Sequence, residues 1–398
     1  MEDGLRVSVL VPTFNRANYI VECLDSLLAQ TMPALEIIVI DDGSEDGTAQ
    51  LLKSYADRIR YVRKENGGKP TAVNLGLSLA RGELIWIFDD DDVALPHAIE
   101  SRVHALADAP EACFVFSPHF YGTDGADGKI ARGALHQYLA HSPDSFLFEL
   151  MKGCFFSLNS ALVRATAYRV VGSFDTQLLS SEDYDMALRL AAIFPVVSCA
   201  TPSFIVREHD GLRGASAIRY SSDQRGKVFR KFDQRVGLKL RSSLQLGDYL
   251  VPRQKTIDHK VKERQAYLAR MTVMASKACM AEMVEDLTSA LALLPPDESL
   301  SPTECETITQ AICTGYAPDS IENEWLEFKA LLVRLPTTNA GREAVMSIAR
   351  GLFRLAKGYP GRISVRWSRL CHAGSLAVLS LPLRKAIHTR SSIRNLDP

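Results

Sequence analysis

The chain has 398 residues, of which 46% are hydrophobic and 23% are charged, and its formal net charge is -1. This length suits two domains better than one, and the composition is typical of a folded globular protein, which argues against a disordered chain. A net charge so close to zero gives no reason to expect nucleic acid as a partner.

The eight cysteines are scattered and form no Cys-x-x-Cys pair. This spacing does not favour a zinc or redox motif, so we expect free thiols in a reducing compartment. The acidic start of the chain lacks the basic region of a signal peptide. We find no stretch of the roughly 18 to 20 apolar residues that a membrane-spanning helix needs. We therefore expect a cytoplasmic protein.

Strand and helix patterns alternate between residues 6 and 95. The predicted strands are Arg6–Val11, Glu36–Ile40, Ile59–Val62 and Leu84–Phe88, and the predicted helices are Tyr19–Gln30, Thr48–Tyr55 and Thr71–Ala80. Continuous apolar strands are typical of a sheet that is buried on both faces. The alternation with short connections predicts an α/β fold in which helices cover a largely parallel sheet.

The pattern is less regular between residues 113 and 207. The predicted strands are Cys113–Ser117, Phe155–Val163, Val196–Cys199 and Phe204–Val206, and Ser181–Ala192 is a predicted helix. This mixture indicates that the sheet continues with some antiparallel pairing. The segment Tyr121–Ser145 is rich in Gly, Ala, Asp and His, and we expect a loop or lid there.

The character of the chain changes after residue 220. We expect an α/β domain at residues 1–220, a basic linker at 221–260 and an α-helical C-terminal region at 261–398. Pro295–Pro296 would end a helical hairpin within that region. From Ala340 onward the chain has eleven basic residues and only two acidic ones, so it ends in a basic tail.

Three acidic clusters lie where an α/β sheet would place a ligand. Asp41–Asp42 and Asp89–Asp92 directly follow predicted strands, and Glu182–Asp183 begins a later helix. Ligands of open α/β sheets bind beyond the carboxyl ends of the strands. Four consecutive aspartates repel each other unless a cation is near, and hard divalent cations prefer carboxylate oxygens. The alternative is a solvated acidic loop that caps the helix beginning near Pro96.

Five motifs in this order resemble the catalytic domain of family 2 glycosyltransferases. They are Val11-Pro12-Thr13-Phe14-Asn15-Arg16, Asp41-Asp42-Gly43-Ser44 with Asp46-Gly47-Thr48, Asn66-Gly67-Gly68-Lys69 with Asn74-Leu75-Gly76, Phe88-Asp89-Asp90-Asp91-Asp92, and Gly172-Ser173-Phe174-Asp175 with Glu182-Asp183-Tyr184-Asp185 and Arg189. The resemblance covers about residues 5–215. It implies a GT-A (Rossmann-like) mixed sheet flanked by helices, and inverting transfer of a sugar from a nucleoside-diphosphate donor, UDP by preference.

The resemblance assigns seven residues to the donor, namely Pro12, Thr13, Asn15, Asp42, Lys69, Asp89 and Asp90. In this assignment Pro12 and Asp42 hold the base, and Asp42 accepts a hydrogen bond from a pyrimidine N–H. Asp89 or Asp90 faces the ribose, and the sequence does not decide between them. Lys69 would reach the phosphates, with an exposed lysine at a helix start as the alternative.

Two residues are assigned to a metal by the same resemblance. Asp91 would ligate Mn²⁺ or Mg²⁺, which neutralises the diphosphate as it leaves. His209 lies where related enzymes carry a histidine near the metal or the diphosphate, although a lone histidine is more often structural.

The acceptor side supplies the general base in this interpretation. Asp183 would take the proton of an acceptor hydroxyl, and one base opposite the leaving group implies a single displacement with inversion. Glu182 would position the acceptor or tune Asp183 by like-charge repulsion. The alternative is a plain helix start with Ser181 as its cap and acids in the first turn. Asp185 and Arg189 are expected to form a salt bridge along the helix.

Two rival functions remain from the sequence. A sugar nucleotidyltransferase would need a Gly-rich, Arg-containing loop after the first strand, and Pro12-Thr13-Phe14-Asn15 stands there instead. The other rival is a non-catalytic glycan- or partner-binding module derived from a transferase. Such a module would be expected to lose Asp42, Asp91 or Asp183, and the presence of all three argues against it.

The basic tail has two interpretations. One is docking to an anionic membrane surface, with Trp367, Leu376, Leu379 and Leu383 at the interface. The other is a solvated or oligomer-forming set of helices. The expected acceptor, a hydroxyl of a glycan or lipid-linked glycan of the cell envelope, favours the membrane.

Overall fold

The structure is a computed structural model that describes residues 5–126, 128–138, 141–209, 221, 224–251, 258–358 and 363–379. The chain divides into two compact units. The first comprises Met1–Leu150 and Cys154–Phe232, and the second comprises Met151–Gly153 and Asp233–Pro398.

The first unit contains two β-sheets. Their strands are β1 (Val7–Thr13), β2 (Glu36–Asp41), β3 (Arg60–Arg63), β4 (Leu84–Ile87), β5 (Val93–Ala94), β6 (Phe114–Phe116), β7 (His119–Asp124), β8 (Ile130–His136), β9 (Ala161–Arg164), β10 (Val196–Ser198) and β11 (Phe204–Arg207). The larger sheet has seven strands in the order β10-β6-β9-β4-β1-β2-β3, and the smaller has four in the order β5-β11-β7-β8.

The larger sheet is mixed. β1 pairs in parallel with β2 and β4, whereas β9 is antiparallel to both β4 and β6. All seven residues of β1 are buried, because helices cover both faces of a central parallel strand. The antiparallel insertion confirms the mixed pairing that the sequence predicts.

Helices connect the strands of the first unit. They are α1 (Ile20–Leu28), α2 (Thr48–Leu52), α3 (Lys69–Leu79), α4 (Ala98–Ala107), α5 (Pro143–Lys152), α6 (Ala165–Val171) and α7 (Glu182–Ile193). The apolar face of α1 buries Ile20, Leu24 and Leu27 against the sheet core. These strand-to-helix crossovers bring the ends of β1, β2 and β4 to one edge of the sheet.

Two expectations for the first unit are wrong in detail. Tyr121–Ser145 is not a loop or lid as a whole, because β7 and β8 form an antiparallel hairpin on the smaller sheet. Gly122 lies within that hairpin, where a Cβ would come 2.7 Å from the Ala131 carbonyl oxygen. The strand predicted at Phe155–Val163 begins later, at Ala161, after a short 3₁₀ turn at Leu158–Ser160.

The second unit is helical. Its helices are α9 (His259–Ser276), α10 (Met280–Ala292), α11 (Pro302–Ala311), α12 (Ala317–Asn323), α13 (Trp325–Leu332), α14 (Asn339–Gly358) and α15 (Ile363–Leu379), while α8 (Arg225–Ser243) crosses the boundary between the units. Residues 221–260, expected to be a linker, thus include a 19-residue helix. Ser301 and Glu304 form a capping box that starts α11, with a proline at its N-terminus.

The described part of the tail, residues 340–358 and 363–379, is helical and belongs to the second unit. Leu376 is fully buried, so it is not the membrane-facing residue that we expected. Arg354 forms two hydrogen bonds with the Glu306 carboxylate, at 2.6 and 2.9 Å. The side chains of Trp367 and Leu379, and the whole of Leu383, lie outside the described residues. None of the described helices is long and apolar enough to cross a bilayer.

Candidate active site

The first acidic pair lies at the carboxyl end of β2. Asp42 is buried, and its carboxylate accepts hydrogen bonds from Lys64 Nζ (2.5 Å) and from the backbone N–H groups of Gly67 (3.0 Å) and Gly68 (2.7 Å). Asp41 accepts from the Ser44 N–H and the Tyr61 hydroxyl. Each carboxylate therefore holds a loop in place at the sheet edge.

The loop after β1 is joined to the loop after β2. Pro12 and Thr13 end β1 as buried residues. The Asn15 side-chain oxygen accepts from the N–H of Glu45 (2.8 Å), and the Asn15 N–H donates to Ser44 Oγ (2.9 Å). Asn15 has φ 55°, in the left-handed region that asparagine tolerates better than most residues. In the described structure Asn15 thus shapes the donor-side loops.

Lys69 connects the second and third acidic clusters. Its Nζ lies 2.6 Å from Asp89 Oδ1 and 3.9 Å from Glu182 Oε1. Burial alone would lower the pKa of Lys69, but the two carboxylates outweigh it and raise that pKa. Burial raises the pKa of Glu182 to about 7, against the lowering effect of Lys69 and with a further increase from Asp183.

Asp90 and Arg16 form a second charged pair. Arg16 Nε lies 3.4 Å from Asp90 Oδ1, and its Nη2 lies 3.7 Å from Asp91 Oδ2. Burial raises the pKa of Asp90 to about 7, although Arg16 opposes that increase. Arg16 belongs to the first motif, so this contact ties the β1 loop to the aspartate run.

Asp91 and His209, which the resemblance assigns to a metal, lie next to each other. Asp91 Oδ2 lies 3.1 Å from His209 Nε2, and the His209 ring is buried. Within the part of the chain that the structure describes, no group of three His, Cys, Asp or Glu side chains could hold a metal. A carboxylate and an imidazole nonetheless suit a divalent ion that takes its remaining ligands from donor phosphates and water.

Asp92 has a structural role. Its carboxylate accepts from the Asn159 side chain (2.5 Å) and from the Arg207 N–H (2.9 Å). Asn159 in turn accepts from the Asp89 N–H through its side-chain oxygen. In the run of four aspartates, the side chains of Asp89, Asp90 and Asp91 therefore pair with Lys69, Arg16 and His209, and Asp92 fixes the backbone.

Arg207, the last residue of β11, holds together several segments around the site. Its side chain is 1% exposed, and it donates to the carboxylates of Glu22 and Asp124 and to the Asp91 carbonyl oxygen (2.8 Å). Its guanidinium lies 4.9 Å from the centroid of the Tyr19 ring. Arg207 thus joins segments that are far apart in the chain, and the sequence pattern does not reveal these contacts.

The second half of the acceptor-side motif, Glu182-Asp183-Tyr184-Asp185, forms the first turn of α7. Ser181 precedes the helix with φ 61° and makes no side-chain capping hydrogen bond, so the expected serine cap is not formed. Asp183 Oδ1 accepts from the Tyr184 N–H at 2.8 Å. A non-glycine residue at this φ is uncommon and stores strain next to the proposed base.

Two polar contacts anchor the loop before α7. The side chain of Asn74 exchanges hydrogen bonds with the backbone of Phe174, at 2.8 and 2.9 Å. Arg189 bonds Asp185 (2.9 Å), as predicted, and also donates to the carbonyls of Val171 and Ser173. The third and fifth motifs are therefore physically connected.

Some of these side chains line one cleft. It opens to solvent with ≈ 320 Å³ of empty space and is lined by Lys69, Val73, Ile87, Asp89, Ser157, Leu158, Asn159, Phe174, Glu182 and Asp183. It brings together the predicted residues Lys69, Asp89, Glu182 and Asp183. Asp42, Asp90, Asp91 and His209 are not among its lining residues and lie along the neighbouring strand ends.

Comparison with known proteins decides the family. Residues 8–169 match the sequence profile described as glycosyl transferase family 2. This part of the chain belongs to that family. The match includes the first four motifs and ends before the acceptor-side motif, so the role of Glu182–Asp183 stays a prediction.

Curated relatives of the family 2 domain are similar over about half of this chain. An uncharacterized glycosyltransferase of Rickettsia typhi is 31% identical over 204 residues, which is 47% of this chain and 60% of the relative. One from Rickettsia felis is 33% identical over 201 residues, 48% of this chain and 32% of the relative. A chondroitin synthase of Pasteurella multocida is 31% identical over 191 residues, 47% of this chain and 19% of the relative.

Solved structures confirm the fold. A crystal structure of S. aureus TarS has a TM-score of 0.51 and 15% identity, covering 82% of this chain and 55% of that chain. TarS 1-349 with UDP-GlcNAc also gives 0.51, at 17% identity, covering 85% of this chain and 90% of that chain. The family 2 domain of this protein thus has the expected GT-A fold.

Three residues with clear roles in the site were not predicted from the sequence. Arg16 lies inside the first motif, so its position was visible but its partners were not. Asn159 and Arg207 lie 67 and 115 residues from Asp92, to which both are bonded. For Arg207, the available sequence signal is an arginine directly after the predicted apolar strand Phe204–Val206, which could have indicated a paired cation.

Proposed function

We propose that this protein transfers a sugar from a nucleoside-diphosphate donor to a hydroxyl of a glycan or lipid-linked glycan, with inversion at the anomeric carbon. The observation that carries the proposal is the shared cleft. Asp89 from the donor-side motif and Asp183 from the acceptor-side motif both line it, although 93 intervening residues separate them. A transferase needs both substrates at one place, and this arrangement would provide it.

The donor base would lie against the end of β2. A carboxylate accepts about four hydrogen bonds, and three donors contact Asp42 in the described structure. A pyrimidine N–H would supply a fourth. UDP-sugar is the proposed donor class, supported by the UDP-GlcNAc held by TarS, a protein of the same fold.

The diphosphate would be held between Lys69 and a divalent ion. Asp91 and His209 are the proposed ligands of Mn²⁺ or Mg²⁺, which when bound would stabilise the charge of the departing diphosphate. Arg16 and Lys69 are cations within 4 Å of the aspartate run, so they would offset the acidic repulsion before the donor arrives. Asp89 or Asp90 would bind the ribose.

Asp183 is the proposed general base. It lies in the first turn of α7, fixed by the Tyr184 N–H, and it faces the cleft. A carboxylate placed there would take the proton of the acceptor hydroxyl as that oxygen attacks the anomeric carbon. Glu182 would attract the Lys69 ammonium and so hold the donor-side and acceptor-side residues of the cleft at a fixed distance from each other.

The test is a thermal-shift screen of the purified protein against UDP-, dTDP-, GDP- and CMP-sugars, each with Mn²⁺ and with EDTA. Ligand binding to the folded state raises apparent stability by mass action. We expect stabilisation by one nucleotide only with metal, and its loss in Asp91→Asn and in His209→Gln. Asp108→Asn, an exposed aspartate at the end of α4, is the matched control. Stabilisation by no nucleotide would favour a binding module.

We further propose an anionic membrane surface as the place where a lipid-linked acceptor is met. Arg350, Arg354 and Lys357 are exposed on one face of α14, and exposed Phe353 lies among them. Clustered Lys and Arg attract anionic lipid by about 1 kcal/mol each. Since Arg354 is paired with Glu306, Arg350 and Lys357 would contribute most.

A further inference from the structure

A cluster of aromatic rings lies on one face of the β7–β8 hairpin. His119 is its buried centre, and Tyr121, His136 and Tyr138 are partly exposed around it. Ring centroids are 5.0 Å apart for His119 and Tyr121, 4.8 Å for His119 and His136, and 5.6 Å for Tyr121 and His136. We call these four residues the hairpin aromatic cluster.

The cluster is held rigidly. His119 Nδ1 lies 2.9 Å from the Tyr138 hydroxyl, and the His119 ring stacks on buried Phe204 at 5.1 Å. Burial and the neighbouring His136 lower the pKa of His119 to about 4, so its ring is neutral at pH 7. The Tyr121–His136 and His136–Tyr138 pairs are edge-to-face, with interplanar angles of 67° and 81°.

The cluster is continuous with the cleft. The Tyr138 ring lies 6.4 Å from the buried ring of Phe156, the residue that precedes Ser157. Ser157 lines the cleft together with Asp183. The cluster therefore borders the cleft through Ser157, within the first unit.

We propose that Tyr121, His136 and Tyr138 form a subsite for a pyranose ring of the acceptor glycan. The proposal rests on the transferase function proposed above and names the part of the acceptor that is recognised away from the reacting hydroxyl. A pyranose has an apolar C–H face and a rim of hydroxyls. Tyr and His offer matching chemistry, an apolar ring face with a polar edge that donates or accepts hydrogen bonds.

A purely structural role would be cross-strand pairing that stabilises the hairpin. That role needs His119 and His136, which are paired across the two strands. Tyr138 also has a structural role, because its ring packs on the buried ring of Phe116 at a centroid distance of 5.5 Å. The structural role does not need Tyr121 to present a polar, partly exposed ring. The opposite face of the hairpin carries Leu135, which is 41% exposed and is paired with Phe120.

The experiment measures binding of the full chain to an array of defined pyranose oligosaccharides. We compare wild type, the Tyr121→Ala/His136→Ala double variant, and Leu135→Ala as the control on the opposite face. We expect wild type and Leu135→Ala to bind the same glycans, and the double variant to lose at least about tenfold in affinity, as loss of stacking contacts would produce. His136→Leu, which keeps an apolar cross-strand side chain, serves as a second variant if the double variant does not fold.

A nucleotide-sugar thermal shift on the same samples separates the two proposals. Undiminished glycan binding by folded double or His136→Leu protein would overturn the subsite, and so would a wild type that binds a nucleotide sugar but no glycan. Glycan binding that depends on the cluster, in a protein that no nucleotide sugar stabilises, would support the subsite while the transferase proposal fails.

Discussion

Lys69 Nζ lies 2.6 Å from Asp89 Oδ1, so the lysine of the third motif forms a salt bridge with the first aspartate of the fourth motif. The same ammonium lies 3.9 Å from Glu182 Oε1. It therefore stands between the proposed donor and acceptor groups before any substrate is present. On donor binding, phosphate oxygens would compete with Asp89 for this cation.

Replacing Lys69 should therefore affect both sides of the cleft. Lys69→Met removes the charge that lowers the pKa of Glu182, so that pKa rises further. We expect kcat/KM to fall roughly tenfold or more and its acid limb to move to higher pH. Lys69→Arg retains the charge and should keep the pH profile of wild type. An unchanged profile in Lys69→Met would show that Glu182 and Lys69 are not coupled.

Asp183→Asn should separate binding from transfer. The amide keeps the size of the side chain but cannot accept a proton, so we expect a loss of roughly 10² to 10⁴ in kcat. Nucleotide-sugar stabilisation in the thermal-shift assay should stay as in wild type. Asp108→Asn, the exposed aspartate at the end of α4, is the control with the same chemistry. Retained transfer in Asp183→Asn would exclude Asp183 as the base.

Glu182 makes folding stability depend on pH. Its pKa is about 7 in the folded protein against a usual 4.5, so the native state favours the protonated form. That contribution is complete below about pH 4.5 and is lost as pH rises through about 7. The stability of Glu182→Gln relative to wild type should therefore increase across this window, by at most about 3 kcal/mol.

Urea unfolding at pH 4.5, 6 and 7.5 in EDTA measures this difference. Glu83→Gln is the control, because pairing with Arg6 lowers the pKa of Glu83 to about 2 and places its effect below pH 4.5. A Glu182→Gln difference that does not change with pH would contradict the raised pKa.

Arg207→Met should destabilise the first unit by roughly 3 kcal/mol, since Glu22 and Asp124 would lose their buried partner. Both carboxylates are partly exposed and can regain water, which limits the loss. Urea unfolding of Arg207→Met in wild-type and Glu22→Gln backgrounds gives the coupling energy. Additive effects of the two substitutions would show that the Arg207–Glu22 contact contributes nothing.

Charge reversal on α14 tests the membrane proposal. Arg350→Glu/Lys357→Glu should weaken sedimentation with anionic vesicles at least about tenfold, and should not alter the weak binding to neutral vesicles. Lys260→Glu/Lys262→Glu makes the same net charge change on exposed positions of α9. Equal losses in both variants would mean that net charge and not the α14 face governs binding. Truncation after Ala340 is unsuitable, because α14 buries Ile348 and Leu352.

Local patterns predicted the larger sheet well. β1, β2 and β4 and the helices between them lie within a few residues of the expected ranges. The reason is that a short, continuous apolar run bounded by turn residues is typical of a buried strand. The β7–β8 hairpin was missed because Gly122 and Gly133 are poor strand formers and β8 is mostly exposed. β7 pairs with β11 and β8 pairs with β7, and pairing between distant segments such as β7 and β11 leaves no local pattern.

The sequence by itself determined the fold class, the family resemblance and the three acidic clusters, since each depends on residues that are close together in the chain. Only the tertiary structure decided which carboxylate faces the cleft and which holds the backbone. Asp89 and Asp92 are three residues apart, yet one is bonded to Lys69 and the other to Asn159 and Arg207. Their partners come from distant segments, and contacts of that kind form only when the chain folds.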